Sequence, residues 1–387
     1  MLKKFFSYYH NTIFPWQFSK KKIFSKKLCI GFCSYFPPFP HGVASATYYL
    51  LKELSKHTEI ELYLIPLHNK INKKLFSFMP LRFAQVDSSY LDCIIFFGLG
   101  DSYQETAEKA RCKKIAWQTM HEDPRTELKP ISGPTEQEIL NQIKNSDLIL
   151  TMTRWATSCY QQQVPTVAYM PHSVDPNLFQ PIKKKTPFTC LFVSRLHYAK
   201  GIFTFLDAIP LVLNYDSSIQ FTIISPEDTQ TPYYTEIHSL LQTMIKKYPS
   251  NIHLEKSWIS FSEIPSIYAQ ADILVFPSNN EGFGIPLIEA MSCEVPCIVL
   301  NKKPMSEIIK NTQTGYCLQP CKKKDQYQGL EFPDPKEIAE KILFLKKHEF
   351  QKKQLGQQGR ERVINEYNIY KQTDALINHC HRICSKI

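Results

Sequence analysis

Short apolar runs alternate with helical patterns in the first half of the chain. The run at residues 28–33 predicts a buried strand, and the amphipathic stretch at 45–57 predicts the helix that follows it. Further strands are predicted at residues 59–66, 91–97, 114–119, 146–151 and 166–170. Strands that alternate with helices are typical of a parallel, doubly wound α/β sheet.

The same alternation begins again in the second half. Strands are predicted at residues 189–193, 220–225, 251–255, 273–277 and 296–301, with a helix at 203–213 and a long helical stretch at 351–383. The proline-rich, polar segment 171–181 separates the halves and is typical of an interdomain linker. The pattern predicts two Rossmann-like domains, at 28–180 and 181–365, and a C-terminal helix at 366–387. Ligands bind at the carboxyl ends of the strands in such sheets.

Charge is concentrated at the start of the chain. The 387 residues carry a formal net charge of +10, and residues 1–27 contain seven lysines and no acid. The remaining 360 residues carry only +3, which does not indicate a protein that binds nucleic acid. The arm at 1–27 is also rich in aromatic residues, which suits an anionic membrane surface. A solvated arm that packs on the body explains the same composition, so both interpretations stay open.

The cysteines and the lack of long apolar runs indicate a compartment. No apolar run reaches the ~20 residues that a membrane-spanning helix needs. Twelve cysteines are dispersed along the chain, which is typical of a reducing compartment and predicts a cytoplasmic protein. The densest group of potential metal ligands, His379, Cys380, His381 and Cys384, lacks the C-x2-C spacing of zinc sites. We therefore predict no metal site.

The turn that begins at Glu281 carries the strongest chemical signal in the sequence. It follows a predicted strand and precedes a predicted helix, which has Pro286 near its first position. Gly282 and Gly284 let the backbone approach a ligand, and a helix N-terminus binds phosphate groups. The carboxylates of Glu281 and Glu289 can accept hydrogen bonds from the paired hydroxyls of a sugar or a ribose. The turn is therefore suited to a ligand that is both sugar and phosphate.

Three other strand ends carry candidate residues. Arg195 and Lys200 follow the strand at 189–193 and suit a diphosphate, although an ordinary charged surface loop explains them too. Gly42 follows the first strand, where either a ligand contact or a rigid proline turn accounts for it. His121 could contact a substrate or accept a proton, or it could cap the next segment.

Several motifs are missing from the sequence, and their absence excludes classes of protein. No Asp-x-Asp is present, so a nucleotide diphosphate held by a metal in that way is unsupported. The Gly98-Leu99-Gly100 stretch lacks the third glycine of a dinucleotide-binding fingerprint, which argues against a dehydrogenase. A P-loop and a G-x-S-x-G nucleophile elbow are also absent.

These pieces, in this order, resemble the retaining glycosyltransferases of the GT-B fold, family 4 or group 1. The resemblance extends from residue 28 to the C-terminus and is most specific at 281–307, with the segment 171–181 similar to the family's hinge. It implies two Rossmann-like domains that face each other across a cleft. The acceptor would lie on 28–180 and the nucleotide-sugar donor on 181–365, with the helix at 366–387 packed back toward the first domain.

The resemblance also implies a role for each matching residue. Glu281 would bind hydroxyls of the transferred sugar, and His121 would lie near the reacting carbon, so these two are the catalytic candidates. Glu289 would bind the ribose, and the base would lie near Ser225. The donor-binding candidates are Gly42, Arg195, Lys200, Gly282, Phe283, Gly284, Ile285, Glu289, Trp258 and Ile259.

The activity that the resemblance implies is metal-independent transfer, with retention, from a UDP- or GDP-sugar to a glycan, a lipid or another hydroxyl acceptor. No cofactor and no nucleic acid is expected. Ser194 and Glu294 stand where the family usually has glycine. Three alternatives stay open on the same scaffold: a nucleotide-sugar epimerase, a phosphorylase, and a protein that binds a nucleotide sugar without turning it over.

Overall fold

The computed structural model of the protein describes most of the chain. It covers residues 27–34, 36, 42–66, 71–98, 103–118, 143–164, 166–183, 187–225, 233–257, 259–321 and 330–385. The chain forms two compact units: unit 1 runs up to Ser173 and resumes at Ile369, and unit 2 is Val174–Asn368. Residues 1–26 of the predicted basic arm lie outside the described residues. None of the described helices is both long and apolar enough to cross a bilayer.

Unit 1 contains a six-stranded parallel sheet with the order β2-β1-β3-β4-β5-β6. The strands are β1 (Leu28–Ser34), β2 (Ile60–Pro66), β3 (Cys93–Phe97), β4 (Lys113–Gln118), β5 (Leu148–Thr151) and β6 (Val167–Tyr169). The helices are α1 (Gly42–Leu54), α2 (Tyr103–Lys109), α3 (Arg154–Gln161) and, from the end of the chain, α11 (Ile369–Cys384), together with a 3-10 turn at Lys73–Phe76.

Both faces of the first sheet are covered, as expected for parallel strands. Ile30 and Phe32 of β1 belong to one apolar cluster, whereas Cys29 and Cys33 belong to the cluster on the opposite face. Alternate residues of a strand point to opposite faces, so one apolar run supplies both clusters. Helix α11 adds residues such as Leu376 to the first cluster, which accounts for its place in unit 1.

Unit 2 contains a second six-stranded parallel sheet, with the order β12-β11-β10-β7-β8-β9. The strands are β7 (Thr189–Val193), β8 (Gln220–Ile224), β9 (Ile252–Glu255), β10 (Ile273–Phe276), β11 (Cys297–Leu300) and β12 (Gly315–Leu318), and β13 (Pro320–Cys321) pairs antiparallel with β14 (Phe332–Pro333). The helices are α4 (Ile202–Leu213), α5 (Tyr234–Lys247), α6 (Ile264–Gln270), α7 (Ile285–Ser292), α8 (Met305–Ile308), α9 (Pro335–Lys347) and α10 (Glu349–Glu366), and a 3-10 turn lies at Tyr198–Lys200.

The strand order of unit 2 reverses between β7 and β10. The chain passes from β7 through β8 to β9 on one side and then returns to place β10 on the other side of β7. β7 and β10 are therefore neighbouring strands, and the loops that follow them begin at the same edge of the sheet. Open α/β sheets bind their ligands in the crevice that such a reversal leaves.

The predicted strands are confirmed, with their ends shifted by up to two residues. Strand β12 was not predicted. The prediction of one helical stretch at 351–383 is wrong, since α10 ends at Glu366 and α11 begins at Ile369. The backbone leaves the helix there to pair with another segment: the amide of Val174 donates to the carbonyl of Tyr367 at 2.9 Å.

Candidate functional site

The turn between β10 and α7 is shaped by one left-handed glycine. Gly284 has φ 101° and ψ 54° and caps the N-terminus of α7. A side chain here would be strained by this backbone conformation, and a Cβ atom would lie 3.1 Å from Leu287 Cδ1. Pro286 follows in the first turn, where it costs no hydrogen bond. The N-terminus of α7, with the partial positive charge of its helix dipole, thus lies directly after the turn, where an anion can be bound.

Glu281 and Lys200 form an ion pair at the reversal of the strand order. Lys200 Nζ lies 2.9 Å from Glu281 Oε1, and it also donates to the carbonyl oxygen of Asn280 at 2.7 Å. The two side chains are 14% and 17% exposed, so the pair is largely shielded yet reachable from solvent. Sequence alone indicated both residues, but the structure shows that they are direct partners.

A second glycine allows the two loops to meet. Gly201 follows Lys200 with φ 71°, and a Cβ atom on it would lie 2.5 Å from the carbonyl oxygen of Pro277. No L-residue side chain fits such an approach without moving the backbone. The close contact of Gly201 with Pro277 therefore brings the loop after β7 against the loop after β10.

Asn279 fixes the loop that leads to Glu281, and sequence analysis did not identify it. It is 3% exposed, and its backbone amide donates to the carbonyl oxygen of Ala199 at 2.8 Å. Its side-chain nitrogen donates to the carbonyl oxygen of Glu331 at 2.6 Å, and its side-chain oxygen accepts from Lys302 Nζ at 2.8 Å. A polar residue three positions after a buried strand was the only signal available in the sequence. Its three partners come from distant segments that only the fold brings together.

Glu289 lies in a different environment from Glu281. It is on α7, only 8% exposed, and its carboxyl group accepts a hydrogen bond from the fully buried hydroxyl of Tyr268. Burial raises the pKa of Glu289 to about 7, and the hydrogen bond from Tyr268 partly opposes that rise. The carboxyl group can therefore change its charge near neutral pH.

The remaining predicted residues occupy different parts of the molecule. Phe283 is buried, with its ring centroid 5.9 Å from that of Tyr367 in an edge-on contact. Gly282, Ile285 and Ile259 are half-buried in unit 2, whereas Arg195 is exposed just after β7. Gly42 is the first residue of α1 in unit 1. His121 and Trp258 lie outside the described residues.

Two observations complete the site. Ser225, directly after β8, is fully buried, and in the part of the chain that the structure describes its hydroxyl has no hydrogen-bond partner. No cluster of three or more histidine, cysteine, aspartate or glutamate side chains among the described residues could hold a metal ion. Lys200 supplies the positive charge beside Glu281.

Two doubly wound parallel units, with a lysine–glutamate pair at the strand reversal of the second, define a GT-B architecture. The family model for "Glycosyl transferases group 1" matches residues 174–362. The group 1 part of the resemblance is confirmed: residues 174–362 of unit 2 form a group 1 glycosyl transferase domain.

Known proteins are similar to this chain in sequence or fold. The Staphylococcus aureus capsular polysaccharide biosynthesis glycosyltransferase CapM is 27% identical over 194 residues, which is 49% of this chain and 46% of CapM. The aligned part thus spans less than half of this relative's length. The sucrose-phosphate synthase of Thermosynechococcus elongatus superposes with a TM-score of 0.71 at 14% identity, over 93% of this chain and 100% of that chain. The Anabaena protein HepE, solved with UDP and glucose, superposes with a TM-score of 0.71 at 14% identity, over 92% of this chain and 100% of that chain.

Proposed function

We propose that the protein is a retaining, metal-independent glycosyltransferase that moves a sugar from a UDP- or GDP-sugar to a hydroxyl group of a glycan or a lipid. The Lys200–Glu281 pair is the observation that carries this proposal. It combines a cation for a diphosphate with a carboxylate for sugar hydroxyls. It also lies at the strand reversal of a group 1 domain, beside the N-terminus of α7.

The chemistry requires positive charge where the leaving group forms. When the glycosidic bond to the diphosphate breaks, negative charge develops on the phosphate oxygens. Lys200, Arg195 and the N-terminus of α7 present positive charge there, which is the kind of electrostatic stabilisation that lowers a barrier. Lys200 Nζ is paired with Glu281, so the donor's phosphate would compete with Glu281 for this ammonium group.

The same contacts support retention without a covalent enzyme intermediate. Glu281 is held by Lys200, and Glu289 is buried against Tyr268, so neither carboxylate is presented as a free nucleophile. In our proposal Glu281 binds hydroxyls of the transferred sugar and Glu289 binds the ribose. The acceptor hydroxyl then attacks from the face that the diphosphate leaves, through an oxocarbenium-like state, and its proton passes to the departing phosphate oxygen. His121 is the proposed contact near the reacting carbon.

Uridine is the first base to test. The solved HepE structure contains UDP and glucose, although at 14% identity it shows only the fold. The buried hydroxyl of Ser225, which has no hydrogen-bond partner among the described residues, is a polar group near the proposed base site. A guanine base stays the alternative that the same experiment must include.

A thermal-shift and turnover assay tests the proposal. We expect UDP or GDP to raise the melting temperature of the protein, because a ligand that binds only the folded state stabilises it by mass action. Incubation of a UDP- or GDP-sugar with candidate acceptors in EDTA should then give a product whose anomeric configuration, measured by NMR, matches the donor's. Glu281→Gln should reduce transfer by about 10²–10³, the usual effect of losing one such polar contact. Glu337→Gln, an exposed position on α9, is the matched control.

The outcomes separate the alternatives. A new nucleotide sugar that forms without acceptor would indicate an epimerase, and turnover that depends on phosphate would indicate a phosphorylase. Binding without any turnover would indicate a binding protein. Undiminished transfer by Glu281→Gln from every usable donor would show that the catalytic assignment is wrong.

The acceptor and the membrane partner form a separate part of the proposal. CapM acts in capsular polysaccharide biosynthesis, which supports a saccharide or lipid-linked acceptor. The basic, aromatic arm at 1–27 is suited to bring the enzyme to an anionic membrane surface on the cytoplasmic side. Deletion of residues 1–26 should weaken binding to phosphatidylserine-containing vesicles at low salt. Unchanged binding would remove the arm from the proposal.

A further inference from the structure

The turn between β10 and α7 contains one side chain that can hold it in place. Between Glu281 and Ile285 the sequence is Gly282-Phe283-Gly284, so Phe283 alone carries a side chain. Glycine has more backbone freedom than any other residue, and the position of the turn therefore depends on where the phenylalanine ring packs. The Phe283 side chain is 3% exposed, so the turn is anchored from the interior of unit 2.

The ring of Tyr367 packs against this anchor. The centroids of the Phe283 and Tyr367 rings are 5.9 Å apart and their planes are inclined at 74°, which is the edge-to-face geometry that aromatic pairs favour. Tyr367 directly follows α10 and is 1% exposed. The contact thus joins the glycine-rich turn to the end of a helix that is far away in the sequence.

Tyr367 is itself fixed at its hydroxyl, its ring and its backbone. The hydroxyl oxygen accepts a hydrogen bond from Arg362 Nη2 at 3.1 Å, and the Arg362 guanidinium carbon lies 5.5 Å from the ring centroid. The backbone amide of Tyr367 donates to the carbonyl oxygen of Val363 at 2.9 Å, and its carbonyl oxygen accepts from the amide of Val174 at 2.9 Å. A ring that is held in this way is a rigid support for Phe283.

We propose that Tyr367 is a positioning residue for glycosyl transfer: its ring holds Phe283, and through Phe283 it sets the position of the turn and of the N-terminus of α7 against the donor. The inference rests on the proposed function, in which this part of unit 2 binds the sugar and the diphosphate. A misplacement of about 1 Å can cost about 10²-fold in rate. A ring that acts only through Phe283 can therefore control the reaction.

Tyr367→Leu and Tyr367→Phe separate the ring from the hydroxyl. Leucine removes the ring contact with Phe283, whereas phenylalanine keeps it and loses only the hydrogen bond from Arg362. Rates are measured as release of UDP from UDP-glucose and of GDP from GDP-mannose. We expect Tyr367→Leu to lower kcat by about tenfold and to change the donor KM by less than about threefold, because the phosphate charge develops in the transition state. Tyr367→Phe should keep kcat within about twofold of the wild type, since the ring contact remains.

Leu355→Ala is the matched control for a general loss of packing. Leu355 is fully buried in the apolar cluster of unit 2 and lies on α10, about three turns before Tyr367. The variant should lose stability, as measured by thermal unfolding, because it leaves a cavity in the core. Below its unfolding transition it should keep the kcat of the wild type.

A second measurement does not depend on activity. Chymotrypsin cleaves after phenylalanine in loosely held segments, and the burial of Phe283 protects it in the wild type. Brief digestion of the native proteins is followed by mass spectrometry. We expect a fragment that ends at Phe283 from Tyr367→Leu, and none from the wild type, Tyr367→Phe or Leu355→Ala.

Phe283→Leu shows whether Tyr367 acts through the turn. In the Phe283→Leu background, adding Tyr367→Leu should lower kcat no further. Equal kcat losses in the two backgrounds, a loss from Leu355→Ala as large as that from Tyr367→Leu, or no new cleavage at Phe283 would overturn the inference. If the wild type binds neither UDP nor GDP and releases no nucleotide from either donor, the proposed function fails and takes the inference with it. If the wild type is active and Tyr367→Leu keeps its kcat, only the inference fails.

Discussion

The turn that carries Glu281 and the helix face that carries Glu289 are eight residues apart, but they control a carboxylate in different ways. Glu281 lies in a half-buried loop, where Lys200 provides a counter-charge at 2.9 Å. Glu289 lies inside unit 2, where a neutral hydroxyl is its partner and burial raises its pKa to about 7. A counter-charge keeps a carboxylate ionised, whereas burial favours its protonated form.

This contrast shows how one short motif can serve two tasks. A group that must exchange partners with a charged donor benefits from a loop and a mobile lysine. A group that must recognise one fixed pair of hydroxyls benefits from a rigid helix and a buried support. Each change below alters one side of the contrast and leaves the other in place.

Lys200→Ala should have the largest effect, because it removes the positive charge on the Glu281 side. We expect transfer to fall by about 10²–10³, and unit 2 to lose stability because the Glu281 carboxylate, only 14% exposed, loses its counter-charge. Steady-state rates and thermal unfolding measure the two effects. Lys336→Ala on α9, an exposed lysine, should retain full activity. If Lys200→Ala lowered the transfer rate by less than tenfold, the catalytic role of the Glu281 turn would not depend on the Lys200 ammonium group.

Gly201→Ala tests whether the two loops must meet. The new Cβ would lie 2.5 Å from the carbonyl oxygen of Pro277 at a φ of 71°, so we expect unit 2 to lose about 2–4 kcal/mol of stability. Chemical denaturation measures this loss. Gly359→Ala on α10 is the matched control, since its Cβ would come no closer than 3.4 Å to Met291 and the residue is helical. Similar stabilities for the two variants would contradict the close approach.

Glu289→Gln tests the buried side through the pH dependence of stability. The pKa of Glu289 is raised from 4.5 to about 7 on folding, so the folded state binds the proton more tightly than the unfolded state. This contribution to stability is present below pH 4.5 and is lost as the pH rises through about 7, with an upper limit of about 3 kcal/mol. Glutamine does not titrate, so the variant should gain stability relative to the wild type between pH 5 and pH 8. A constant difference across that range would show that Glu289 does not titrate there.

Glu294→Gly should have the smallest effect, at the other end of α7. Glu294 has φ 60°, a conformation that costs a non-glycine residue about 1 kcal/mol. Glycine should therefore raise the free energy of unfolding by up to about 1 kcal/mol, as measured by denaturation. Glu294→Ala keeps the strain and should give no gain. If Glu294→Gly and Glu294→Ala raised the free energy of unfolding equally, the gain would come from removing the glutamate side chain and not from relieving backbone strain.

Much of the fold was predictable because it depends on local pattern. The apolar run at β1 supplies residues to both faces of its sheet. The runs at β7 and β10 supply alternate residues, such as Phe192 and Val275, to the apolar cluster of unit 2. The break between α10 and α11 was not predictable, because Tyr367 leaves the helix to accept a hydrogen bond from Val174, a residue far away in the sequence. The candidate site likewise has a part that the sequence predicts and a part that it does not. Glycines, a proline and charged residues at strand ends are visible in the sequence, whereas the partners of Asn279 and Glu289 are not.

The amino-acid sequence alone determined two doubly wound domains, the turn with Gly284 at the start of α7, and the identity of the charged residues at the strand ends. These follow from hydrophobic period, backbone sterics and residue chemistry, which act over a few neighbouring positions. Only the tertiary structure decided that Lys200 pairs with Glu281, that Asn279 joins three segments, and that Tyr268 is the partner of Glu289. These contacts arise from strand order and helix packing. The same packing sets the burial that brings the pKa of Glu289 near neutrality.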